Sequence, residues 1–70
     1  MTVFDILSDT DLVSDNVKIR IKDTEAAPIA TGSWYDDQIL NYQDSEVQSF
    51  NYDVHANRLT IILREAFRKW

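Results

Sequence analysis

Three groups of side chains in this 70-residue sequence are candidates for metal binding, catalysis or recognition: Asp9, Asp11 and Asp15; Asp53 with His55; and Trp34-Tyr35 directly before Asp36-Asp37. The first group suggests calcium, because calcium loops place oxygen ligands at alternate positions. Counting Asp9 as the first ligand puts Val13 at the fifth position, Ser14 where the sharp turn needs glycine, and Arg20 at the bidentate twelfth. The pattern fails, and the stretch reads as a solvated turn capped by Ser8 or Asp9. His55 is the sole histidine and lies in an expected hairpin turn beside Asp53, which makes neither a triad nor a metal cluster. The serines at 8, 14, 33, 45 and 49 have no base beside them, and one glycine cannot make a phosphate-cradling loop. The sequence therefore offers no catalytic residue, no metal ligand set and no cofactor site, and an enzyme is not expected.

The third group is different. Ser33 can cap a helix, with Asp36 at its third position and Asp37 at its fourth, where carboxylates offset the positive end of the helix dipole. Tyr35, Ile39 and Tyr42 then share one face, widened by Leu40, and can pack on a sheet. Trp34 falls outside that stripe, and exposed aromatics of its type are enriched among binding hot spots.

The surrounding elements follow from periodicity. Thr2-Val-Phe-Asp5 reads as a capping box with Asp in place of Glu, opening a short helix with Phe4, Ile6 and Leu7 as its apolar residues and an end near residues 8–10. A turn around Leu12 and Val13 follows. Val17, Ile19 and Ile21 alternate with Lys18, Arg20 and Lys22, the period-2 pattern of a half-buried strand. Asp23 to Ala27 is a loop, Pro28 suits the start of an edge strand, and Ile29 to Thr31 returns. Val47, Phe50, Tyr52 and Val54, the turn His55-Ala-Asn57, then Leu59, Ile61 and Leu63 read as a second hairpin whose last strand suits a central position. Two hairpins with no long crossover predict an α+β fold in the order α-β-β-α-β-β: a four-stranded antiparallel sheet with both short helices on one face. Residues 1–70 form one domain, with 65–70 as a C-terminal tail or a short helix that aligns Phe67 and Trp70 with Leu63.

Charge is unevenly laid out. Residues 1–57 carry a net −8 and residues 58–70 a net +3, which together give −5. That balance argues against nonspecific duplex binding, which needs many cations at phosphates. Lys18, Arg20 and Lys22 read as the solvated side of a strand, with Arg58 and Arg64 at the same outward parity. Were those two strands neighbours, the bare sheet face would be basic, but it would lack the interleaved aromatics of a single-strand platform. Direct nucleic-acid binding is not expected. With no cysteine, no apolar run long enough to span a bilayer and no basic, apolar leader in MTVFDILSDTD, the expected place is the cytoplasm, with no membrane contact.

The stretch Asp44-Ser-Glu-Val-Gln-Ser-Phe50, followed by Asn57-Arg-Leu-Thr-Ile-Ile-Leu63, resembles small uncharacterised proteins common in bacteriophages and integrative elements of Gram-positive bacteria. The resemblance spans roughly residues 2–63 and rests on the pattern of apolar positions. It implies a mobile-element setting, the host cytoplasm, and an anti-CRISPR-like role among small acidic inhibitors of host defence nucleases. The expected function is protein binding, with Trp34, Asp36, Asp37, Asp44, Glu46, Phe67, Arg68 and Trp70 as partner-binding residues and a host nucleic-acid enzyme as partner. Homodimerisation in an assembly role is the alternative, and nucleic-acid binding by the basic strand face the third.

Overall fold

A computed structural model describes residues 1–9, 13–14 and 16–64. Its elements run α1 (Val3–Leu7), β1 (Lys18–Lys22), β2 (Pro28–Gly32), α2 (Asp37–Leu40), β3 (Val47–Asp53) and β4 (Arg58–Leu63). The element order is the expected one. The sheet is not: its strand order is β2-β1-β4-β3, with two antiparallel hairpins joined through a parallel β1–β4 pair, so the sheet is mixed and not antiparallel. These pairings make β2 and β3, at opposite edges, run in the same direction. The chain between them, residues 33–46, therefore crosses the sheet and carries α2. A crossover of a dozen or more residues is what joins strands of like direction. Hydrophobic periodicity alone is equally compatible with a link between independent hairpins, which is why the crossover is not legible in it.

The central positions follow from side-chain chemistry. Ile19 and Ile21 of β1 lie beside Leu59 and Ile61 of β4, and all four are fully buried. Strands on both sides and the helix layer above enclose these four side chains, whereas β2 opens with Pro28, which cannot donate to a ladder and suits an edge. Val3 and Ile6 of α1, Ile39 of α2, and Val13, Val17, Ala30, Val47 and Leu63 complete the same cluster, which places both helices on one side of the sheet. Phe50 departs from expectation. It stands opposite Ile61 and so on the core side, yet it is 42% exposed, on the edge strand β3. Phe4 is also exposed, since the five-residue α1 turns Val3 and Ile6 inward in its place.

Helix α1 starts as the sequence implies. The Thr2 backbone N–H donates to Asp5 Oδ2 at 2.8 Å, and the Thr2 hydroxyl donates to the same oxygen at 3.3 Å. Two first-turn donors that no helix can satisfy internally are taken up by the far end of the crossover: Val3 N–H reaches the Ser45 carbonyl at 3.0 Å and Phe4 N–H the Gln43 carbonyl at 2.9 Å. The Thr2 backbone hydrogen bond holds the Asp5 carboxyl below the ordinary aspartate range, partial desolvation opposes it, and the Thr2 hydroxyl adds to the lowering. A depressed carboxylate contributes stability that is present above its unfolded pKa, about 3.9, and is lost as pH falls through the folded value. Urea midpoints of the wild type and Asp5→Asn should therefore converge between about pH 5 and pH 2. A constant difference across that range would show that the Asp5 charge plays no part in the cap.

Two turns depend on polar side chains. Asp23, which is buried, accepts from the Glu25 and Ala27 N–H groups through Oδ1, both at 2.9 Å, and so closes the β1–β2 loop, where Ala26 adopts a positive φ of 64°. At the β3–β4 turn, Asp53 Oδ1 accepts from the His55 N–H at 3.0 Å and the Ala56 N–H at 3.2 Å. The turn ends on Asn57 at φ 51°.

Candidate functional site

The crossover begins with a tight turn. Asp36 N–H donates to the Ser33 carbonyl at 3.0 Å, and Ser33 N–H donates back to Asp36 Oδ2 at 2.7 Å. Asp36 is the N-cap, so Ser33 is not the cap that its position suggested, and α2 is four residues long where two turns were expected. The reason lies at Gly32, the end of β2: a Cβ there would run into the Asp36 carboxylate. Glycine's small size lets the side chain fold back over the strand end, and its φ is not positive, so close approach and not backbone freedom is the requirement. Gly32→Ala should displace the carboxylate and cost about 0.5–2 kcal/mol, the range for a lost cap. In a double-mutant cycle, Asp36→Ala should then add little to Gly32→Ala; full additivity of the two melting shifts would separate them.

This turn presents Trp34 and Tyr35 outward. Their rings meet edge to face, 5.5 Å between centroids and 86° between planes, and remain 38% and 54% exposed. Tyr35 thus leaves the stripe assigned to it; Ile39 alone is buried from α2, with Tyr42 half-buried against the core. Asp37 and Gln38 are exposed beside the pair. The result is a two-ring aromatic knob flanked by carboxylates, fixed by a hydrogen-bonded turn at the β2 edge.

The expected partner-binding residues do not all gather there. Trp34, Asp36 and Asp37 do, though the Asp36 carboxylate is engaged within the turn. Asp44 and Glu46 lie at the other end of the crossover, by the β3 edge, where Glu46 meets the N-terminal ammonium of Met1 at 3.4 Å. Phe67, Arg68 and Trp70 lie outside the described residues, as do Asp11 and Asp15. Helical spacing points Tyr35 inward and so away from any site; the signal against that register is Gly32, whose lack of a side chain permits the turn. Among the described residues no three His, Cys, Asp or Glu side chains gather as metal ligands, and no helix is long and apolar enough to cross a membrane. Compared with known proteins, the chain matches no family model, no curated sequence and no solved structure.

Proposed function

We propose that the protein is a protein-binding module that docks its Trp34–Tyr35 knob, with Asp37 alongside, on a cationic surface of another protein, and that this partner is a host nucleic-acid enzyme of the defence type, which it inhibits. The observation that carries the reading is the exposed aromatic pair on a pinned turn. Aromatic anchors held rigid before binding lose little entropy on docking and dominate interface energies. Carboxylates beside them favour a partner of opposite charge and speed encounter. A groove that normally holds nucleic acid has that charge.

The test uses immobilised protein and a nuclease-treated lysate of a Gram-positive host, with wild type, Trp34→Ala and Asp37→Lys compared side by side. Wild type should retain a basic nucleic-acid enzyme, release it as salt rises and inhibit its cleavage of substrate. Trp34→Ala should weaken that binding by about 30-fold, the scale of a hot-spot residue. Asp36 is left intact because changing it would undo the turn. Equal retention by all three proteins would remove the knob as the site, and retention without inhibition would remove the inhibitor role.

Homodimerisation has one feature in its favour. β3 is an edge strand of seven residues with Phe50 exposed and no lysine or proline to discourage pairing. A solution mass of twice 8.2 kDa, reduced to the monomer value by Asn51→Pro, would support it.

A further inference from the structure

The parallel β1–β4 pairing has a second result, on the side of the sheet away from the helices. Lys18, Arg20 and Lys22 alternate with the buried residues of β1, and Arg58 alternates with those of β4, which Arg64 follows. These are all five lysines and arginines among the described residues, and they share one face. Lys18 is in register with Arg58. No ion pair among the described residues involves any of the five, and the buried Nε of Arg58 has no acceptor there. Like charges on directly paired residues are destabilising. The fold nonetheless gathers them on its two central strands, while Asp53 and Glu46 stand only at its β3 border, opposite Arg58 and Arg64.

We propose that this face is a binding surface for the phosphodiester backbone of double-stranded nucleic acid, contacted without regard to sequence. Three observations select that occupant. The face offers cations, Thr60 and Asn51 with a single large apolar side chain, Ile62, on its central strands. That is the composition of a nucleic-acid interface and lacks the uncharged, aromatic centre of a protein–protein one. Among the described residues it carries no aromatic side chain on which unpaired bases could stack, which disfavours a single strand. Its cations are dense: Lys18 to Lys22 span about 13 Å of strand, and a duplex answers with about one phosphate charge per 1.7 Å of its axis.

The net charge of −5 does not cancel this field. The α2 carboxylates lie in the layer beyond the sheet, farther from a ligand at the face than the five cations are, and Coulomb energy falls with distance. A phosphate over β1 is governed by Lys18, Arg20 and Lys22, since Asp53 and Glu46 stand opposite Arg58 and Arg64 at the β3 border. The expectation against duplex binding rests on charge summed over the chain, and that against a single strand on the lack of interleaved aromatics; for a duplex the local arrangement decides what the ligand meets. This surface is distinct from the Trp34–Tyr35 knob, and its test does not depend on that reading.

The experiment is fluorescence anisotropy of a short labelled duplex titrated with the full chain, with an oligo-dT strand of equal length and a poly-glutamate peptide as competitors. Wild type should bind the duplex at low salt with a log–log salt slope of about −3.6 to −4.5, for four or five phosphate contacts. Lys18→Glu and Arg20→Glu should each weaken binding tenfold or more. Lys18→Glu should melt no lower than wild type, because it replaces a like-charge pair with an opposite one. Circular dichroism checks each fold, and Lys18→Gln with Arg20→Gln replaces any variant that unfolds. Absence of duplex binding at low salt, unchanged affinity in the folded variants, or stronger competition by poly-glutamate or oligo-dT than by unlabelled duplex would each overturn the proposal.

Discussion

Replacement of Ile61 by alanine is expected to cost about 2–5 kcal/mol, the range for truncating a fully buried aliphatic residue. Ile61 is 0% exposed and lies on the central strand β4, between Ile21 of β1 and Phe50 of β3. Strands on both sides fix its backbone, so the surroundings cannot collapse into the space left behind. A core this small supplies only about 3–5 kcal/mol in total, so the variant should be largely unfolded at room temperature. Ile62→Ala, one residue along and on the opposite side, removes the same atoms from a half-exposed position and should cost distinctly less. Urea denaturation followed by circular dichroism compares the two. An Ile61→Ala midpoint equal to that of the wild type would contradict the assigned core face.

Asn57→Ala is expected to cost about 3–4 kcal/mol, although the residue is not in the apolar core. Three bonds meet on it: the Tyr52 hydroxyl donates to Asn57 Oδ1 at 2.7 Å, Asn57 Nδ2 donates to the Asn16 carbonyl at 2.8 Å, and Lys18 N–H donates to the Asn57 carbonyl at 3.0 Å. Its positive φ is one that asparagine tolerates and alanine resists by about 1–2 kcal/mol. Each side-chain bond adds about 1 kcal/mol. Because Asn16 and Lys18 lead into β1, the residue ties the β3–β4 turn to the start of the parallel pair. Asn57→Gly should recover the backbone part of the loss and not the rest, and Tyr52→Phe should remove a single bond. If Asn57→Gly proves as damaging as Asn57→Ala, strain is not a component.

Residue types and spacing specify the order of the elements, though not the length of α2. Strict alternation at residues 17–22 and 58–63 specifies two half-buried strands, because a pleated strand sends successive side chains to opposite faces. Thr2 with Asp5, Pro28, and the turn ending in Asn57 mark boundaries through local chemistry that a chain carries wherever it folds. The charge asymmetry was legible too, as was the outward parity of Lys18, Arg20, Lys22, Arg58 and Arg64.

Tertiary structure alone decided which strands are neighbours. Alternation says which face of a strand is buried and nothing about which strand lies beside it, so an antiparallel sheet and the observed mixed one satisfy the same pattern. The choice is made when residues 33–46 cross the core side with Ile39 beneath them and bring β1 against β4. That single pairing sets the cations of two distant segments side by side. In the same way, Tyr35 was assigned inward by helical spacing and turned outward by the contact between Gly32 and Asp36, a steric fact of the folded chain. Burial periodicity is local and is written in the sequence; juxtaposition depends on the path of the whole chain, and both candidate surfaces of this protein are juxtapositions.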